Sequence, residues 1–231
     1  MPDARLPSPA RALRGLLLGV VLLAVQLGGA IPAAATEDDP RTWVDRMNRA
    51  LAENNYDGVF VHQIGGNRET LRIIHRVRDG RMTERLVSTD GSGREFIRDG
   101  NELVAYFPDR RMVVVEKRPP RNAGFLGRLP GLDSAIRETY DVRDVERKRM
   151  QGRWVRVITV TPRDGFRYGY RLWIDEVTAM PVRTQLASLG GDVIEQISFA
   201  SLTFPAIIDD EMLRPEVVTD GFKWLRRDQP G

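Results

Sequence analysis

The chain contains only two histidines, His62 and His75, and they are the first residues to test for chemistry. Each lies near the end of an expected strand. If neighbouring strands pair in simple register, the two imidazoles could meet a carboxylate such as Glu69 or Glu84 and hold a metal ion. The spacing does not support this, because neither His-x-x-His nor Glu-x-x-His occurs. Asp90-Gly91-Ser92-Gly93 superficially suggests a nucleophile turn. It lacks the Gly-x-Ser-x-Gly pattern and a following helix, so a hairpin explains it better. No catalytic residue, metal site or cofactor is therefore expected, and the protein is not read as an enzyme. Arginine groups at Arg110-Arg111, at Lys117-Arg118 with Arg121, and at Arg147-Lys148-Arg149 with Arg153 could meet an acidic peptide or lipid phosphates. More often such groups are solvated faces balanced by nearby carboxylates.

The remaining chemistry is apolar. Tyr168, Tyr170, Leu172 and Ile174 recur at period two with Arg167 and Arg171 between them, which predicts a strand with one apolar and one wet face. Further runs at 181–186 and 193–199 complete a three-strand meander through Gly190-Gly191-Asp192. Before it, apolar runs beginning at Tyr56, Thr70, Arg81, Arg94, Leu103, Met112, Tyr140 and Trp154 are separated by turn residues every eight to twelve positions. That spacing predicts about ten antiparallel strands in a curved sheet or barrel.

Asp39-Pro40 opens a helix whose Trp43, Val44, Met47, Ala50 and Leu51 form one apolar stripe that should cover the sheet. Residues 121–130 read as an irregular loop carrying Phe125 and Leu126, either a lid or a plug for the core. Residues 132–139 and 207–213 suggest short helical stretches. The tail 226–231 has no expected structure. Together these elements predict an apolar cavity that takes an acyl chain, lined by Trp43, Met47, Val59, Val61, Leu71, Ile73, Phe125, Leu126, Tyr168, Tyr170 and Leu172.

Arg5, Arg11 and Arg14 precede an apolar run of about a dozen residues, followed by Ala33-Ala34-Ala35. The run is shorter than the roughly 20 residues of a membrane span. Residues 1–35 are therefore expected to be a secretory signal peptide cleaved near Ala35. Without Arg5, Arg11, Arg14 and Asp3 the mature chain carries 32 basic and 31 acidic residues. Near-neutrality after export leaves nucleic-acid binding without support. The chain has no cysteine, hence no disulfide and no site for an N-terminal lipid, which suits a soluble protein of a bacterial periplasm.

The set Tyr56-Asp57-Gly58-Val59-Phe60-Val61-His62, Arg72-Ile73-Ile74-His75, Glu84-Arg85-Leu86 to Asp90-Gly91, Arg94-Glu95-Phe96-Ile97-Arg98 and Val104-Ala105-Tyr106-Phe107-Pro108-Asp109 resembles the MucB/RseB family. Tyr170-Arg171-Leu172-Trp173-Ile174-Asp175 and Glu195-Gln196-Ile197-Ser198-Phe199 are similar to later blocks of the same N-terminal domain. The resemblance implies an α+β, mainly β fold like that of the lipoprotein carrier LolA: an unclosed antiparallel β-barrel with helices over its concave face. It implies a domain over 36–215, with 216–231 beginning a linker to a smaller C-terminal domain. It also implies a periplasmic negative regulator of sigma-E-type envelope-stress signalling. Such a protein binds the periplasmic part of an RseA/MucA-like anti-sigma factor, shields it from proteolysis and senses lipid, lipopolysaccharide or lipoprotein acyl chains. A lipid or lipoprotein carrier of the LolA class is the alternative, and self-association into a homo-oligomer stays open.

Overall fold

The computed structural model describes residues 39–117, 125–126 and 138–228. The signal peptide expected over 1–35, most of the short helix expected over 132–139 and most of the 121–130 loop lie outside the described residues. Every described element belongs to one compact unit, residues 38–231.

Helix α1 spans Pro40–Glu53. Asp39 caps it, accepting the Arg41 N–H at 3.0 Å, and Pro40 occupies the first turn, where its missing N–H costs nothing. Asn54 ends the helix in extended conformation, with its amide returning to the Ala50 carbonyl. The predicted stripe of Trp43, Val44, Met47, Ala50 and Leu51 is buried.

The strands are β1 (Tyr56–Ile64), β2 (Asn67–Arg78), β3 (Arg81–Ser88), β4 (Glu95–Asp99), β5 (Glu102–Phe107), β6 (Met112–Lys117), β7 (Tyr140–Met150), β8 (Arg153–Pro162), β9 (Gly169–Asp175), β10 (Pro181–Ala187), β11 (Val193–Thr203) and β12 (Lys223–Asp228). They form one sheet in the order β12-β6-β5-β4-β3-β2-β1-β11-β10-β9-β8-β7, with β12 and β7 at its two edges. The barrel is thus unclosed. Two-residue turns join β2 to β3 and β7 to β8. Asp79-Gly80 and Gln151-Gly152 all have positive φ, the conformation that matches the twist of paired strands.

Among the described residues twelve strands form where about ten were expected, and one pairing is not antiparallel. β12 runs parallel to β6, Lys223 opposite Met112 and Asp228 opposite Lys117, in a stretch whose last residues were expected to carry no structure. A parallel pair needs a crossover, and here residues 204–222 supply it as a strap across the sheet's outer face. A 3₁₀ turn at Asp210–Leu213 interrupts the strap, within the predicted helical stretch.

The inner face, covered by α1, carries the main core: Tyr56, Phe60, Leu71, Ile73, Leu86, Ile158, Val160, Leu172, Ile174 and Phe199 pack with the helix and Leu126. The outer face is not the wet surface that the alternation predicted. Ile74 packs under Ala206, Ile208 and Leu213 of the strap, and Tyr106, Val113 and Val115 pack under Val217 and Phe222. A third outer cluster joins Val155, Val157, Trp173 and Val182. Arg171 and Arg183 lie over the Trp173 ring at 5.2 and 5.4 Å, their aliphatic stems able to cover it while their charges stay wet.

Candidate functional site

The inner face brings together much of the expected cavity lining, but packs it as solid core. Trp43, Met47, Leu71, Ile73 and Leu172 are buried in one cluster, with Tyr170 and Phe125 packed at its border and Leu126 inside it. Three expected residues are elsewhere. Val59 and Val61 point to the opposite face, because Tyr56 and Phe60 take the inward positions of β1 and the period of two leaves the valines outward. Tyr168 precedes β9 on a turn and is 55% exposed.

Among the described residues these side chains pack against one another rather than around an open acyl-sized space. One crevice of about 10 Å³ is lined by Leu51, Leu126, Pro181, Arg183, Thr184, Ile197 and Phe199, room for about one water molecule. Only Leu126 belongs to the expected lining. The reason is packing: Phe60 and Phe199 meet at 5.6 Å, and Phe96 and Phe125 at 6.3 Å, filling the interior with aromatic volume. Gly58 makes room for this, since a Cβ there would sit 2.8 Å from the Phe199 ring and 2.9 Å from the Ser201 carbonyl.

Two polar groups interrupt the apolar face. His75 and Glu84, from neighbouring strands, are completely buried, with His75 Nδ1 and Glu84 Oε1 2.7 Å apart. Tyr56 stacks flat on the His75 ring, centroids 4.5 Å apart. Burial, with the Glu84 carboxylate nearby, holds the Tyr56 phenol well above its ordinary pKa. The other Glu84 oxygen accepts the Phe125 N–H at 2.8 Å. A buried carboxylate thus fastens the backbone of the segment that brings Leu126 into the core. The hydrogen bond serves both partners, because either group left alone there would be unpaired.

His62 lies at the other end of the same strand pair. Its Nδ1 is 3.2 Å from Glu69 and its Nε2 is 2.8 Å from Glu195, so the carboxylates flank opposite sides of the ring. Since His75 pairs with Tyr56 and His62 with Glu69, the β1–β2 register keeps the two imidazoles apart. Among the described residues no cluster of three or more His, Asp or Glu side chains is arranged to hold a metal ion.

The sequence offered Glu84 as a histidine partner but gave no sign of its hold on the Phe125 backbone, nor of the contributions of Leu51 and Phe199 to the crevice. A second partner on a distant loop leaves no local pattern around a strand glutamate. Leu51 and Phe199 each belonged to a legible apolar pattern that gave no sign of a crevice edge.

Residues 39–217 match the family model described as the MucB/RseB N-terminal domain. The chain is 31% identical over 201 residues to the sigma factor AlgU regulatory protein MucB of Pseudomonas aeruginosa, covering 83% of this chain and 60% of that protein. It is 28% identical over 185 residues to the sigma-E factor regulatory protein RseB of Haemophilus influenzae, covering 78% of this chain and 56% of that one. A crystal structure of MucB in complex with MucA(peri) superposes with a TM-score of 0.61 at 30% identity, over 76% of this chain and 59% of that one. The chain therefore spans little more than half the length of the curated relatives it matches.

Proposed function

This chain belongs to the MucB/RseB N-terminal domain family, and on that footing we propose that it takes part in sigma-factor regulation by binding the periplasmic part of a membrane-bound anti-sigma factor. The observation that carries this reading is the 31% identity over 201 residues to a sigma factor regulatory protein. The MucB structure in complex with MucA(peri) indicates the class of partner. On this reading the protein acts in the periplasm by occupancy, shielding the anti-sigma factor from proteolysis. No helix among the described residues is long and apolar enough to cross a membrane.

The release signal in this proposal is an acyl chain of a lipid, lipopolysaccharide or lipoprotein. The crevice beside Leu126 holds about one water molecule, so on this reading an acyl chain enters there by displacing Leu126 from the core and breaking the Glu84–Phe125 bond. Each acyl methylene then buried contributes roughly 0.8 kcal/mol. Ligand and partner become coupled when the acyl-bound state has lower affinity for the anti-sigma segment.

The test is a binding titration with a synthetic periplasmic segment of a MucA-like anti-sigma factor, together with protection of that segment from a protease. Saturable binding with protection is expected, and a lipid A or fatty-acid ligand should weaken it. If the segment is cleaved equally fast with and without the chain, the regulatory reading is wrong. If it is protected but lipid has no effect, only the release signal is wrong.

A further inference from the structure

At one end of the sheet the turns joining β1 to β2, β8 to β9 and β10 to β11 lie side by side. The register fixes this: Ile64 is opposite Asn67 and Glu195, while Ala187 is opposite Gly169 and Val193. The Gly65 N–H reaches the Ile194 carbonyl at 3.2 Å, and a Cβ on Gly165 would meet the Leu189 side chain at 4.0 Å. Ile64, Phe166, Tyr168, Leu189 and Val193 sit on these tips and are 49–96% exposed, with Phe166 the most exposed at 96%. Single exposed apolar residues are ordinary. Five gathered on three adjoining turns are not, because nothing in the fold is stabilised by leaving them in water.

We propose that this three-turn rim is a docking surface for an anionic phospholipid bilayer. The side chains project from turn tips rather than lining a groove, a shape that a fluid lipid interface accepts without a complementary pocket. The turns already satisfy their own amides: Phe166 N–H donates to Asp164, Gly191 N–H to the Ser188 carbonyl and Ser188 N–H to the Asp192 carbonyl. Insertion therefore takes few unpaired amides out of water. Arg68, Arg163 and Arg167 are exposed on the same tips. Asp164 is held by Arg167, leaving Asp192 as the exposed acid there. Among the described residues Arg68 and Arg163 have no ion-pair partner. A phenylalanine and a tyrosine flanked by arginines suit the headgroup boundary, where rings bury and guanidinium groups meet phosphates. The rim is on the sheet's end, away from the crevice under Leu126, and the proposal is independent of the sigma-factor reading.

The chain from Asp38 onward, which holds every described element in one compact unit, is mixed with vesicles of phosphatidylethanolamine and phosphatidylglycerol or of phosphatidylcholine alone and sedimented. It is expected to partition onto the anionic vesicles, and added salt should weaken binding several-fold by screening the arginines. The double variant Phe166→Asp with Leu189→Asp should lower the partition coefficient on the order of 100-fold. Val177→Asp with Ile207→Asp, equally exposed but remote from these turns, should change it little. Because both pairs lie at the surface, unchanged thermal unfolding should accompany each. As a second readout, the added indole emission of the Phe166→Trp variant should shift blue with anionic vesicles and be quenched by brominated lipid. No wild-type partition, equal losses in the two double variants, or an added indole emission that ignores the vesicles would each overturn the proposal. Retained vesicle binding with lost binding to the anti-sigma segment would make the rim a protein interface instead.

Discussion

The adjacent residues Glu84 and Arg85 of β3 point to opposite faces of one sheet, and each fastens a passing piece of chain. Inward, Glu84 pairs with His75 and holds the Phe125 segment through a single N–H. Outward, Arg85 pairs with Glu95 at 2.9 Å, both nearly fully buried, and donates to the Met212 carbonyl at 3.2 Å. Glu95 in turn accepts the Glu216 N–H, and the Glu216 carboxylate lies 3.0 Å from Arg85. Arg76 adds bonds to the Ile208 carbonyl and Asp210. The outer strap is thus tied at several points and the inner segment, among the described residues, at one. Strand β3 thus anchors chain on both faces of the sheet, through one carboxylate inward and one guanidinium outward.

The largest effect is expected from breaking the outer tie. Arg85→Ala leaves Glu95 buried without its partner and should cost about 3–5 kcal/mol in urea unfolding. Replacing both Arg85 and Glu95 with methionine should recover most of that loss. If Arg85→Ala costs no more than a surface substitution, about 0.5 kcal/mol, the strap is not held as described. Trp43→Ala removes the helix's largest buried side chain from the inner core and should cost on the order of 3–5 kcal/mol, with a lower urea midpoint as the readout.

Glu84→Ala sharpens the comparison through where it acts. It should unfasten the Phe125 segment, raising the rate of proteolytic cleavage around residue 125 and leaving cleavage of residues 204–222 unchanged. Equal acceleration at both places would mean that the faces are not independent. Gly58→Ala forces a methyl group against Phe199 and the Ser201 carbonyl and should cost about 1–3 kcal/mol.

The smallest effect is on acid stability. Burial pushes the Asp175 carboxyl up, but the N–H groups of Thr178 and Val177 and the Arg153 guanidinium outweigh it and hold the pKa below the ordinary carboxylate value. A lowered folded-state pKa contributes stability that is present above the unfolded-state value and lost as pH falls through the folded one. Urea midpoints of the wild type should therefore decline from about pH 5 downward. Asp175→Asn should be less stable at neutral pH and decline less steeply with acid.

Local patterns made the inner face legible. The Asp39-Pro40 cap, the helix stripe and the Asp79-Gly80 turn each act within a few residues, so they could be read without knowing the fold. Val59 and Val61 were misplaced because Val59-Phe60-Val61 is apolar throughout, and only the packing of Tyr56 and Phe60 decides which side turns inward. The strap and β12 were missed for a different reason. Ile208, Leu213 and Val217 follow no period, and the partner of Lys223-Trp224-Leu225 lies more than a hundred residues earlier. Glu84 and Arg85 look alike in sequence to charges that remain in water. Their burial depends wholly on what lies opposite them.

The β6–β12 pairing also sets an order of assembly. Every other neighbouring pair in the sheet is antiparallel, and most join strands that follow one another in the chain, whereas β12 can dock only once the strap has a finished outer face to cross. Until then β6 is an unprotected edge, and Tyr106, Val113 and Val115 lack the cover of Val217 and Phe222. Long-range pairing of this kind forms late, and an uncovered apolar edge recruits other chains. During refolding, the uncovered β6 face is therefore one place where self-association competes with correct closure, and rising protein concentration should favour aggregation until β12 and the strap cover it.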